Sequence, residues 1–326
     1  DIEMGRAIQR AEMRLARENA RQYHAMLKQQ EFENGKQVVQ EYTEYVNLID
    51  SMHKDANEPI NWHEVLVEKA PIRPDHTNKY QKLSEKNLAN YKPSFLEKLL
   101  GLDTKKIKTL RSNINISVAK DRLINNERLA DYEKRLALWK KYQKMAKGAL
   151  NLDPKAYETI INYFDAFSDI KALGNNLSIQ FERRYAIVTL SVNGTSVVPN
   201  FVLNQTKLGK VSKNNMPIGK YNKLYLNFVC GCVIRVAREL FSFLPIEYVF
   251  VNTQSKLVNK ITGHLEQQNI LSIAIPKRTI DQLNFDEIDP YESMKNFKTS
   301  MRYSKTEGFN IVPKLHIDEI LKTLQY

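Results

Sequence analysis

Residues 102–147 read LDTKKIKTLRSNINISVAKDRLINNERLADYEKRLALWKKYQKMAK, which is 46 consecutive positions without Gly or Pro. An apolar residue recurs every three or four positions at Leu129, Tyr132, Leu136 and Trp139. That spacing is the period of an apolar stripe on an α-helix. An earlier stripe of the same kind consists of Ile107, Leu110 and Ile114. Residues 113–118 alternate polar and apolar side chains, so the stretch predicts one long helix or two helices with a break there.

A second apolar stripe lies upstream of this run. After Gly35 the apolar positions are spaced by four, three, four and three residues, at Val38, Tyr42, Tyr45, Ile49 and Met52. Such alternation is typical of a helix that packs on another helix. We expect helix 36–56 to pair with helix 121–147 as an antiparallel hairpin, or both to join a bundle, which would show the same pattern. Residues 57–93 are rich in Pro and predict a connector with a short helix at Trp62–Val67.

A domain boundary is predicted near residues 148–153, where Gly148 is followed by Asp153 as a helix N-cap and Pro154 at the first helical position. Strands are expected beyond it at 177–181, 186–192, 248–251 and 271–275, with helices at 221–244, 290–297 and 317–324. Asn193-Gly194 is a hairpin turn signal. We therefore predict an α+β protein. Residues 1–150 form a helical coiled-coil-like domain, a long-helix hairpin or bundle, and residues 151–326 form an α/β domain with one main sheet.

Positive charge is concentrated in one part of the chain. The 326 residues carry a net charge of +12, and residues 71–150 alone contain 19 Lys and Arg against 8 Asp and Glu. Clustered cations attract polyanions, and each neutralised phosphate releases counterions, so such a surface binds nucleic acid without reading its sequence. The candidate nucleic-acid-binding residues of the long helical run are Lys105, Lys106, Lys108, Arg111, Lys140, Lys141, Lys144 and Lys147.

A second lysine cluster lies in a segment predicted to be a loop, which also holds Gly209 and Gly219. Its candidate nucleic-acid-binding residues, whose charge could grip phosphates, are Lys207, Lys210, Lys213, Lys220 and Lys223. No Gly-Lys-Ser/Thr follows at the spacing of a Walker A loop, so the segment is not a nucleotide-binding P-loop. A solvated connector would show the same composition.

Two alternatives remain open for the helical cations and the aromatic residues beside them. If the acidic residues 1–70 pack on 121–147, part of the positive charge is neutralised within the protein. Trp139 and Tyr142 are close enough to the lysines to stack on bases. They also lie on or beside the apolar seam, where an aromatic ring normally belongs to the core.

The sequence contains no complete catalytic or metal-binding set, so we expect no metal and no cofactor. The six His residues are scattered, and the two Cys residues stand alone. His264 and Glu266 are a candidate acid–base pair or a surface turn. A restriction-endonuclease-like nuclease would use Gln254-Ser255-Lys256 together with an Asp on a neighbouring strand. No Asp occurs between Asn204 and Ile280.

The C-terminal half resembles an uncharacterised family of bacterial cytosolic proteins that have a helical, charge-rich N-terminal region. The resemblance rests on the runs VARELF at 236–241 and TGHLE at 262–266, and on residues 284–297. It implies a cytoplasmic location and carries no activity or catalytic residue with it.

The concentrated positive charge, the apolar helix seams and the family resemblance together predict a non-enzymatic bacterial scaffold. We expect it to bind DNA or RNA without sequence specificity and to self-associate through its helices. No membrane partner is expected, because the longest apolar stretch, 224–244, is interrupted by charged residues. The alternatives are a protein–protein module that binds an acidic partner and a divergent restriction-endonuclease-like nuclease.

Overall fold

The computed structural model describes residues 18–22, 35–206 and 210–323. The chain divides into two compact units. The sheet unit comprises residues 1–62 and 148–326, and the helix unit comprises His63–Lys147. The predicted domains, 1–150 and 151–326, divide the chain differently, because α1 (Gly35–Asp50) belongs to the sheet unit.

The sheet unit contains one main six-stranded sheet, in the order β1-β2-β5-β6-β7-β8. Its strands are β1 (Asn176–Phe181), β2 (Tyr185–Ser191), β5 (Tyr248–Val258), β6 (Leu265–Pro276), β7 (Lys298–Ser304) and β8 (Gly308–Asn310). Only β2 and β5 pair in parallel, and the other neighbours are antiparallel. A separate hairpin is formed by β3 (Phe201–Gln205) and β4 (Val211–Asn215). The predicted α+β class with one main sheet is confirmed.

The sheet unit also contains several helices, one of which is long and buried. Besides α1, they are α6 (Pro154–Phe164), α7 (Ser168–Ala172), α8 (Gly194–Val197), α9 (Ile218–Phe243), α10 (Lys277–Ile280), α11 (Pro290–Ser293) and α12 (Ile317–Thr323). A parallel pair of strands needs a crossover connection, and α9 supplies it between β2 and β5. The helix is mostly apolar from Leu224 onward, and nearly all of its side chains there are buried. The predicted turn at Asn193-Gly194 is wrong, since Gly194 begins α8.

The apolar seam of α1 is buried as predicted, but its partner is different. Tyr42 Oη donates a hydrogen bond to the Phe201 carbonyl (2.7 Å), and Tyr45 Oη donates one to the Val197 carbonyl (2.6 Å). Asn227 Nδ2 of α9 donates to Asp50 Oδ1 at 2.8 Å. We expected this seam to pair with residues 121–147, and in the structure it packs on α9 and the β3–β4 hairpin.

A buried charge cluster holds the segment after α1 against α9. Arg235 Nε lies 2.6 Å from Glu239 Oε1, and Arg235 Nη2 lies 3.6 Å from Asp169 Oδ2. The other Glu239 oxygen accepts a hydrogen bond from Asn57 Nδ2 at 2.7 Å. Buried charges persist where they are paired and hydrogen-bonded, so this cluster fixes residues near 57 on the helix.

The helix unit is organised around one helix of 49 residues, α5 (Leu102–Leu150), whose last three residues belong to the sheet unit. It follows α2 (Trp62–Val67), α3 (Lys79–Ala89) and α4 (Phe95–Leu99). At a rise of 1.5 Å per residue, α5 is about 73 Å long. The helix is continuous through residues 113–118, so the break considered there does not occur. The predicted short helix Trp62–Val67 is confirmed as α2.

The predicted connector is docked along α5 in an antiparallel direction. Residues 65–77, which we call the strap, offer their backbone carbonyls to polar side chains of the helix. The contacts are Gln143 Nε2 to Val65 O (2.6 Å), Trp139 Nε1 to Glu68 O (3.0 Å), Arg128 Nη1 to Asp75 O (3.2 Å) and Asn125 Nδ2 to Thr77 O (2.7 Å). The residue numbers of the strap rise while those of their partners on α5 fall. These four hydrogen bonds therefore fix the register between the strap and the helix.

The start of α3 is capped by α5. The residue at the cap position, Asn78, makes no side-chain cap. Instead the Asp121 carboxylate accepts hydrogen bonds from the backbone N–H groups of Tyr80 (3.2 Å) and Gln81 (2.8 Å). These are the second and third residues of α3, the donors that an N-cap side chain normally satisfies. Asp121 is only 3% exposed, so the carboxylate exchanges water for these two donors.

Candidate nucleic-acid interface

Six of the predicted cations on α5 form three pairs that are 36 residues apart. The pairs are Lys105 with Lys141, Lys108 with Lys144, and Arg111 with Lys147. At 3.6 residues per turn, 36 residues are ten turns of an α-helix, so both members of each pair lie on the same side. The three-residue steps within each triplet keep its members on adjoining parts of that side. We call these six side chains the cation row.

The row consists of two clusters that are separated along the helix by about 54 Å. All eight candidate cations of α5 are exposed. Residues 104–120 and 134–152 contain no Asp or Glu, so neither cluster has a carboxylate on its own part of the helix. Lys105, Lys108 and Arg111 form no ion pair with a described residue, and the same holds for Lys144 and Lys147. These five side chains therefore present uncompensated positive charge at both ends of the row.

Two of the predicted cations lie beside the row. Lys106 follows Lys105 by one residue and points about 100° away around the helix, and Lys140 precedes Lys141 by the same step. The central part of α5, residues 112–133, is nearly balanced, and Lys120 there lies over the Tyr80 ring at 3.8 Å. The charge that is free to meet a partner is therefore concentrated toward the two ends.

The aromatic residues beside the second cluster belong to the packed side of α5. Trp139 is half-buried, and its indole N–H is bonded to the strap. Tyr142 is also half-buried. Both rings therefore pack within the protein, as expected if they belong to the apolar seam. The structure gives no support to base stacking by these rings.

The second lysine cluster lies in the sheet unit and does not form one loop. Lys207 lies outside the described residues. Lys210 is exposed between β3 and β4, Lys213 lies on β4, and Lys220 and Lys223 lie on α9. Lys223 Nζ is paired with Asp289 Oδ2 at 3.1 Å, and Lys213 Nζ lies over the Phe201 ring at 4.4 Å. The β3–β4 hairpin therefore replaces the expected loop, and two of the predicted lysines already have partners within the protein.

Sequence reasoning missed a cleft of about 480 Å³ between the strap and α5. It is lined by Ile72, Arg73, Pro74, Asp75, Arg128, Asp131 and Arg135. Arg135 Nε is paired with Asp131 Oδ2 at 3.0 Å, and Arg128 is bonded to the strap. The signal was the seven-residue spacing of Arg128 and Arg135, two helical turns on one side of α5.

The candidate nuclease strand lacks the partners that this chemistry requires. Lys256 is exposed on β5 opposite Gln267, and Gln254 is opposite Asn269 beside a register shift. Ser255 is instead hydrogen-bonded to Tyr225 Oη at 2.9 Å. Throughout the described ranges, no group of three or more His, Cys, Asp or Glu side chains could hold a metal ion.

Glu266 serves the turn between β5 and β6. Its carboxylate accepts hydrogen bonds from Asn259 Nδ2 (2.9 Å) and Thr262 Oγ1 (2.8 Å). These bonds, the one from Asn259 first, hold the pKa of Glu266 below its ordinary value. A carboxylate stabilised in its ionised form is a poor proton acceptor, so this geometry favours the surface turn over the acid–base pair.

Comparison with known proteins identifies no relative: no protein-family model, curated protein or solved structure matches this chain. Among the helices in the described part of the chain, none is both long enough and apolar enough to cross a membrane. The arrangement of charge is therefore the feature of this chain that bears most directly on its function.

Proposed function

We propose that this protein is a non-enzymatic cytoplasmic scaffold that binds DNA or RNA without sequence specificity through the cation row of α5. The observation that carries the proposal is the repeat of three cations after ten helical turns. Residues 63–147 hold 20 Lys and Arg against 10 Asp and Glu, so the helix unit accounts for +10 of the net +12.

The geometry suits a polyanion better than a small ligand. Each cluster presents its cations from exposed side chains with no enclosing walls, and Lys and Arg in this setting contact phosphates as point charges. The clusters are about 54 Å apart, which corresponds to about 16 base pairs along a duplex at 3.4 Å per step. Phosphate contacts position a protein on nucleic acid and carry no sequence information.

The proposal is tested by fluorescence anisotropy with a labelled duplex of about 30 base pairs. With six phosphate contacts, log K should fall with log salt with a slope near −5, and affinity should fall by about 10³ between roughly 50 and 200 mM salt. The double variants K108Q/R111Q and K144Q/K147Q should each reduce the slope by about 2. Scrambling the duplex sequence should leave the affinity unchanged.

A matched control carries the same change of charge outside the helix unit. Lys260 and Lys314 are exposed in the sheet unit, so K260Q/K314Q should leave the slope as it is in the unaltered protein. Absence of binding at the lowest salt would overturn the proposal, as would an equal loss in this control. Displacement of the duplex by polyglutamate at equal charge concentration would instead assign the cation row to an acidic protein partner.

A further inference from the structure

The end of the helix unit where α4 meets α5 exposes a cluster of large apolar side chains. Five of them are between 47% and 80% exposed: Phe95, Leu96, Leu99, Leu100 and Leu102. They fall within eight consecutive residues, which we call the apolar tip. Scattered exposed apolar residues are normal, but a contiguous group of this size marks an interaction surface.

Local bonding holds the tip in this shape. Ser94 and Glu97 form a capping box at the start of α4, with Ser94 N donating to Glu97 Oε2 at 2.8 Å. Gly101 has a φ of +63°, a conformation that favours glycine, and it turns the chain between α4 and α5. The helical spacing of Phe95, Leu96, Leu99 and Leu100 gathers them on one side of α4, and Lys98 lies on the other.

Cations lie close to this apolar surface along the chain. Residues 92–108 contain Lys92, Lys98, Lys105, Lys106 and Lys108, against Glu97 and Asp103. Both carboxylates are occupied locally, Glu97 by the capping box and Asp103 by the Thr104 backbone N–H at 2.8 Å. The tip therefore combines protruding Leu and Phe side chains with a net charge of +3 from these seven residues.

We propose that the apolar tip docks on the surface of an anionic lipid bilayer. Leu and Phe side chains of a short amphipathic helix enter the boundary between headgroups and acyl chains, and adjacent lysines are attracted by anionic headgroups. Such a contact lies in the plane of the interface and needs no membrane-spanning helix. It goes beyond nucleic-acid binding, because it uses apolar side chains that a phosphate backbone would not accommodate.

Charge complementarity selects the bilayer over a second copy of this chain. Two apolar tips facing each other would bring their lysines together, and like charges across a contact oppose association. A phosphatidylglycerol surface supplies both the missing negative charge and an apolar layer below it. The lipid surface is thus the occupant that satisfies both parts of the tip.

Vesicle flotation of the full chain tests this inference. The protein should float with vesicles of phosphatidylcholine and phosphatidylglycerol, and much less with phosphatidylcholine alone. The variant F95S/L96S/L99S should bind the anionic vesicles at least about tenfold more weakly, since it removes three apolar side chains from the contact. Its circular dichroism spectrum should be unchanged, because all three side chains are exposed.

Two controls separate this inference from nucleic-acid binding. The variant K144Q/K147Q should lose duplex affinity and keep vesicle binding. The tip variant, F95S/L96S/L99S, should keep duplex affinity and lose vesicle binding. Vesicle binding that is absent, or that is equal in the tip variant, would overturn the inference. Concentration-dependent dimerisation in sedimentation velocity that is lost in the tip variant, without vesicle binding, would assign the tip to a second copy instead.

Discussion

Asp121 offers a direct test of how the helix unit is held together, because one buried carboxylate caps a neighbouring helix. Replacing it with Ala leaves the N–H groups of Tyr80 and Gln81 without their acceptor. Loss of an N-cap costs about 1 kcal/mol, and a hydrogen bond to a charged group contributes about 1.5–3 kcal/mol. We therefore expect D121A to destabilise α3 locally by about 3 kcal/mol.

The D121N variant separates the charge from the shape. Its amide keeps one acceptor oxygen but places an NH₂ group against the second backbone donor. About half of the effect, roughly 1.5 kcal/mol, should remain. The matched control is E127A, which removes an exposed carboxylate from the same helix and should change stability by less than about 0.5 kcal/mol.

Hydrogen exchange detected by mass spectrometry is the suitable assay, because it reports local opening of residues 79–89. A loss of 3 kcal/mol corresponds to about a 150-fold loss of protection, and 1.5 kcal/mol to slightly more than tenfold. The expected order is D121A, then D121N, then E127A, which should resemble the unaltered protein. Equal protection in D121A and E127A would refute the capping role of Asp121.

Three further outcomes concern the sheet unit. R235M should lower the free energy of unfolding by about 3–5 kcal/mol, because it leaves the Glu239 charge buried without its cation, and R235M/E239L should recover part of it, since Asp169 and Asn57 still lose these partners; urea titration measures both. Burial, followed by the nearby Lys54 charge, lowers the pKa of His53 below 6.5, so the unfolded chain takes up a proton first as the pH falls. The free energy of unfolding from urea titration should therefore fall as the pH drops below about 6.5, with a slope of up to about 1.4 kcal/mol per pH unit, and a flat profile in the intact protein would contradict this reasoning. Burial also raises the pKa of the Cys230 thiol, so neither it nor Cys232 should react with iodoacetamide before unfolding, and alkylation of the native protein would count against the buried placement.

Local signals predicted most elements of this fold. The run at 102–147 has no helix-breaking residue, and all of it lies within the single unbroken helix α5. Asp153 caps α6 and accepts a hydrogen bond from the Lys155 N–H at 3.0 Å, as the Asp-Pro pair indicates. Period and capping act over a few residues, so a single sequence is sufficient to reveal them.

Predictions that depended on distant contacts succeeded less well. An apolar seam such as that of α1 indicates that the helix has a packing partner but does not identify it. The partner is α9, whose side chains from Leu224 onward are nearly all buried. Asn193-Gly194 has the composition of a tight turn, yet β2 pairs with β5 in parallel and leaves that turn without an antiparallel partner. The capping role of Asp121 could not be predicted from the sequence, because the backbone N–H groups that it accepts from belong to a helix about 40 residues away.

The candidate site was accessible from sequence in part. The individual lysines and Arg111 were identified by their clustering, and their exposure agrees with that interpretation. The 36-residue repeat requires an unbroken helix before it has a geometric meaning, because a break at 113–118 would have separated the two clusters in orientation. The prediction that Lys207–Lys223 form one binding cluster required a loop, and the structure has a β hairpin there instead.

The continuity of α5 couples its two ends as one rigid spacer, so the nucleic-acid binding that we propose is bivalent. A duplex of about 10 base pairs reaches one cluster, whereas one longer than about 16 base pairs reaches both. The second contact then forms at the high effective concentration that a stiff linker gives. If the proposed function is correct, affinity should therefore rise steeply at the shortest duplex that spans both clusters, and the length of α5 sets that threshold.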